Sequence, residues 1–106
     1  MVERYIAQSK PLTPYENELL TILIEECAEV AQAATKIMRF GRQERYPGGL
    51  DNITKLGLEI GDLERMIELT KDAQFVKTRD VVEGQSRKAE RLEQYMQHPV
   101  KELSNG

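Results

Sequence analysis

Two pairs of acids, Glu26 with Glu29 and Glu59 with Asp62, each stand three residues apart in stretches with helical periodicity. That spacing puts both carboxylates of a pair on one helix face, about one turn apart, so a single cation can be gripped by both. Placed at about 100° per residue, Glu26 falls between Ile22 and the line through Leu19 and Ile37, and Glu29 falls beside Ile22 and Ala33. Both border the apolar side. Glu59 falls between Leu63 and Met66, and Asp62 between Met66 and Leu69, so both interrupt an otherwise continuous apolar arc. Carboxylates drawn together inside such arcs repel one another and lose water, unless cations bind among them.

The residues that are missing narrow the cation. Helical di-iron sites use Glu-x-x-His, and the one histidine here, His98, precedes Pro99 near the end of the chain. All-oxygen ligands favour Mg²⁺, with Mn²⁺ as the alternative, and there is no EF-hand loop for calcium. Cys27 has no second cysteine to pair with and reads as a small core residue. Either acid pair alone is also what a solvated helix face looks like; the signal lies in having both on consecutive helices.

Helices must position these groups, and the chain supplies their punctuation. Thr13-Pro14-Tyr15-Glu16 reads as a capping box with proline at the first helical position. Leu19, Leu20, Leu23, Cys27, Val30, Ala34 and Ile37 then keep a helical period until Gly41 ends it, which predicts a first helix over 14–40. Residues 42–50, with Pro47-Gly48-Gly49, read as a mobile connection. Asp51 or Asn52 caps a second helix carrying Ile53, Leu56, Ile60, Leu63, Met66, Ile67 and Leu69 to about Ala73. Asp80, with Glu83 three residues on, caps a third that carries Val81, Val82, Ala89, Leu92, Tyr95 and Met96 and stops before Pro99. The expectation is one all-α domain over 1–106, a small helical bundle with its core at about 14–97. Residues 1–12 and 99–106 read as flexible.

Composition agrees with a folded chain: of 106 residues, 40% are apolar and 31% charged. A single chain of this length buries only a modest core, so association with further copies is expected to complete the bundle. The longest apolar run is short and the first residues lack a signal-peptide core, which predicts a cytoplasmic protein with no membrane partner. A net charge of −3 makes nucleic acid an unfavoured partner.

The segments Glu26-Cys27-Ala28-Glu29 and Glu59-Ile60-Gly61-Asp62 resemble the signature of the MazG-like, all-α nucleotide pyrophosphohydrolases, Glu-x-x-Glu on one helix and Glu-x-x-Asp on the next. The resemblance runs from about Leu19 to Tyr95. Two features set this chain apart, a long gap between the pairs and a polar Leu63-Glu64-Arg65 after Asp62. The resemblance implies a bundle that binds Mg²⁺ through Glu26, Glu29, Glu59 and Asp62. It further implies hydrolysis of nucleoside triphosphates, deoxynucleotides first, to monophosphate and pyrophosphate by a homodimer or homotetramer. Glu26 and Glu59 would then be catalytic as metal ligands. Glu25, beside the first pair, reads either as a water-orienting base or as a surface glutamate.

The family places phosphate-binding cations on a late helix, which makes Lys88 the first candidate and Arg91 the second. Lys55, one turn before Glu59, reads as its ion-pair partner or as a substrate contact. Tyr15 and Tyr46 are candidates for stacking on a base, and Phe40 for core packing. The competing reading is a catalytically silent, metal-stabilised helical module that binds partners.

Overall fold

The computed structural model describes residues 10–43 and 48–101. They form three helices, α1 over Pro14–Phe40, α2 over Asn52–Asp72 and α3 over Thr78–Tyr95, and no strand occurs among them. The expected all-α class is what the chain adopts. The loose termini expected at 1–12 and 99–106 fall largely outside the described residues, as do Tyr46 and part of the connection around it.

Local chemistry accounts for most helix ends. The capping box forms as expected: Glu16 N donates to Thr13 Oγ1 at 3.1 Å, and Thr13 N donates to Glu16 Oε1 at 2.9 Å. Gly41 ends α1 at φ 88° and ψ −173°, a combination of positive φ and extended ψ that only glycine adopts readily. Asp51, rather than Asn52, caps α2, its Oδ1 accepting from Thr54 N. At the other end of α2, Gln74 N donates to the Lys71 carbonyl and Phe75 N to that of Thr70, the two bonds of a Schellman motif. Gln74 holds the left-handed position usual for glycine, at φ 58°. The start of α3 differs from expectation. Lys77 occupies the cap without a side-chain bond, and Asp80 lies inside the first turn, where its charge favours the helix dipole instead.

Packing is concentrated in an antiparallel hairpin of α1 and α2. Its core is thin: among the described residues only Leu19 and Met66 are apolar and buried, at 4% and 8% exposure. Leu20, Ile22, Leu23, Val30, Ile37, Leu56, Leu63 and Leu69 are half-buried along the same seam. Thr70 is buried on α2, with its hydroxyl donating to the Met66 carbonyl at 2.7 Å. Cys27, read as a core residue, is exposed, and so is Phe40, where the Arg39 guanidinium sits 5.0 Å from the ring centroid.

The third helix does not complete a compact three-helix core. No residue of α3 is buried, and only Val81 and Leu92 reach half-burial. The radius of gyration is 18.3 Å, against about 13 Å for a compact chain of this length. No helix among the described residues is long and apolar enough to cross a membrane.

Candidate metal centre

The antiparallel course of the hairpin sets the middle of α1 against the middle of α2, so the two acid pairs are brought opposite each other. Glu26, Glu59 and Asp62 each offer an oxygen, and the three atoms lie within 4.8 Å of one another. Glu26 and Glu59 are half-buried, Asp62 and Glu29 exposed. Helical phase thus separates an inner acid and a rim acid on each helix. Glu29 lies outside the close group, one turn farther along α1.

The inner acid of α1 is under strain of an electrostatic kind. Glu26 Oε2 is closed to solvent and has no hydrogen-bond partner. Its carboxyl is held above the ordinary value of 4.5, first by loss of water and then by the charges of Asp62, Glu59, Glu29 and Glu25 in that order. A proton or a cation relieves this arrangement; a neutral hydrogen-bond donor from the protein is not provided.

A six-coordinate Mg²⁺ with oxygens at about 2.1 Å spans neighbouring oxygens about 3 Å apart and opposite ones about 4.2 Å apart. The three oxygens, all within 4.8 Å of one another on two helices, would draw closer to meet it. The donor set is all oxygen, and one donor is a buried atom with an unfilled bonding direction, so the residues fit a hard divalent cation. Acidic groups at a surface do gather without an ion; the feature that sets this cluster apart is the buried, unpartnered oxygen at its centre.

Beside the acids, Glu29 and Glu59 form one end of a cavity of about 280 Å³ between α1 and α2, whose wall also includes Lys36, Lys55 and Asn52. Lys55 is half-buried and lines the same cavity as Glu59. Glu25 is exposed on the outer side of α1, yet close enough to act on Glu26. Lys88 and Arg91 are exposed on α3, and Lys88 faces a different hollow with Gly84 and Leu92. Within one chain they are not gathered with the acids.

Two residues of this site were not singled out for it by the sequence pattern. Lys36 carries no local signal beyond an exposed helical lysine. Asn52 was read only as one of two helix caps, and with Asp51 taking that role its amide is used elsewhere. Nδ2 donates to the carbonyls of Gly41 at 2.9 Å and Gln43 at 3.2 Å, while the Asn52 backbone N–H donates to Arg42 O at 2.8 Å. This clamp ties the start of α2 to the end of α1 and so fixes the register in which the acids meet.

No known protein family matches the chain, and neither the curated proteins nor the solved structures give a match.

Proposed function

We propose that the protein is a magnesium-dependent nucleoside triphosphate pyrophosphohydrolase, with deoxynucleoside triphosphates as its first substrate class. The observation that carries this reading is the buried, unpartnered Glu26 Oε2 gathered with Glu59 and Asp62 from the facing helix. The resemblance to the MazG-like signature supplies the reaction.

Glu26, Glu59 and Asp62 hold Mg²⁺, or Mn²⁺ in its place, and Glu29 joins them from the rim. Bound there, the ion supplies the positive charge and Lewis acidity that let a polyanionic substrate approach a group of acids. The chain's own groups do the rest. Glu25 takes a proton from the attacking water as its oxygen bonds to the α-phosphorus, and the bond from that phosphorus to the bridging oxygen breaks to release pyrophosphate. Lys55 meets phosphate from the wall of the adjoining cavity. Lys88 and Arg91 meet the outer phosphates from α3, which a neighbouring copy brings over the hairpin in a homodimer or homotetramer.

Ile53, Ile60 and Ile67 support that assembly. They recur every seven residues on one face of α2 and all three are exposed, a stripe that a second hairpin would cover. Incubation with Mg²⁺ and each deoxynucleoside triphosphate is expected to yield monophosphate and pyrophosphate in equal amounts. Release of orthophosphate, or no turnover with any of them, overturns the reading. A magnesium-dependent rise in Tm without turnover would favour the silent, metal-stabilised module instead.

A further inference from the structure

Helical phase gives the hairpin two broad faces. On α1, Ile37 lies on the seam with Lys36 and Met38 about 100° to either side; on α2, Glu59 lies on the seam with Leu58 and Ile60 in the same relation. Lys36 and Leu58 line one cavity and so share a face, which leaves Met38 and Ile60 on the other. The cavity face is charged, since the same phase puts Glu25, Glu29, Lys36, Lys55, Asp62 and Arg65 there. On the opposite face α1 carries no charge at all. Thr21, Ile24, Ala28, Ala31, Thr35 and Met38 follow one another there at alternate spacings of three and four residues, the period of a helix-packing seam, and every one is exposed. Ile24 is 68% and Met38 85% exposed. The exposed Ile53, Ile60 and Ile67 of α2 continue the same face, so that stripe is one half of a larger surface.

The polar atoms of this face are already provided for. Thr21 Oγ1 donates to the Asn17 carbonyl and Thr35 Oγ1 to that of Gln32, both at 2.9 Å, so the threonines can be covered without an unmet donor. The charges that border the face, Glu64 and Lys71 on the outer edge of α2, are of opposite sign. Its size also suits a stable contact. The 21 residues of α2 run about 31 Å, and two packed helices are about 20 Å wide, which makes a plate of roughly 600 Å². Stable complexes bury about 800 Å² of accessible surface per partner. We propose that this face is the contact between two copies of the chain, packed back to back as a four-helix bundle with the acid clusters on its outer sides. A like-for-like contact fits a plate free of charge, because no group meets its own sign across the two-fold axis, while Glu64 and Lys71 can meet their opposites at the border. Both acid clusters stay open, where an α3 brought by a further copy can reach them. The inference adds to the proposed assembly the α1 half of the contact and the direction in which the sites face, and it does not depend on the reaction.

Light scattering on a sizing column tests it. The wild-type mass is expected to be that of two chains or a multiple of two, with a Tm that rises with protein concentration. Ile24→Lys is expected to halve the mass at equal concentration or, where assembly is needed for folding, to lose helical circular dichroism. A lysine at so exposed a position costs an isolated hairpin little, so either change reports the contact. Leu58→Lys, exposed on the cavity face, is expected to keep the wild-type mass. A wild-type mass of one chain with a Tm independent of concentration overturns the proposal, as does an Ile24→Lys variant that keeps the wild-type mass. A mass halved by Leu58→Lys instead places the contact on the acid face and overturns it too. The expected masses without pyrophosphate release from any triphosphate overturn the enzymatic reading alone and leave the contact standing.

Discussion

Removing the Asn52 amide tests whether the clamp between the helix ends holds the hairpin in register. Asn52→Ala deletes two neutral hydrogen bonds, each worth about 1 kcal/mol net. Gly41 and Gln43 are exposed, so their carbonyls can recover water, and the loss of the unpartnered Oδ1 removes a cost as well. The expected destabilisation is therefore at the lower end, about 1–2 kcal/mol. Asn52→Asp is the sharper perturbation. It keeps shape and gains roughly 0.5 kcal/mol from the helix dipole, but it replaces a donor by a charged acceptor facing two carbonyl oxygens. The resulting mismatch of buried like-signed groups is expected to cost about 3 kcal/mol or more at neutral pH. Urea unfolding followed by circular dichroism at 222 nm measures both. Acidification that protonates the introduced carboxyl restores one donor, so the gap between the two variants is expected to narrow at low pH. Asn52→Asp unfolding at the same urea concentration as wild type at pH 7 would refute the clamp and with it the account of how the acids are held opposite each other.

Charge at the acid cluster and backbone strain at the end of α2 give three further expected outcomes. Glu59→Gln is expected to abolish pyrophosphate release yet leave the metal-free protein as stable as wild type or more so, since it relieves repulsion on Glu26; surviving turnover would remove the second pair from the site. The raised Glu26 carboxyl binds its proton more tightly folded than unfolded, so its contribution to metal-free stability is present in full below 4.5 and is lost as pH rises through the folded value. Added Mg²⁺ is expected to reverse that trend by binding the ionised form, which melting curves across this window with and without the ion would show. Gln74→Gly is expected to stabilise by about 1 kcal/mol, because the left-handed φ of 58° burdens any side chain and glycine is free of it. An unchanged or lower Tm would contradict that.

The local punctuation of this chain is legible because it depends on neighbours a few residues apart. Thr13 and Glu16 find each other whatever the rest of the protein does, and helix α1 starts and ends where the spacing predicts. The inward phase of Glu26 and Glu59 is legible for the same reason, as helical period alone places them on the seam. Other features depend on contacts that no local rule contains. Asp51 and Asn52 are equivalent as caps by type, and only the return of the loop carbonyls at Gly41 and Gln43 decides which of them is drawn inward. Val81, Leu92 and Tyr95 define an apolar stripe on α3, but a stripe does not name what covers it. Among the described residues only Val81 and Leu92 of that stripe reach half-burial, and Tyr95 and Lys88 stay exposed.

The thin core and the acid cluster have one cause. On α2 the positions between Leu63 and Met66 and between Met66 and Leu69 would ordinarily carry aliphatic side chains against α1, and here they carry Glu59 and Asp62. Carboxylates at these positions add no apolar burial to the seam, and among the described residues the buried apolar side chains are Leu19 and Met66. Beyond Leu56, Leu63, Met66 and Leu69 on the seam, α2 carries further apolar residues on a second face, where Ile53, Ile60 and Ile67 stand exposed. A hairpin that gives its inner seam to charge must find its hydrophobic stabilisation elsewhere, and the stripe it presents outward is suited to that. Site and assembly are therefore coupled in the proposed reading: the acids that bind the cation are also why one chain alone makes so little core.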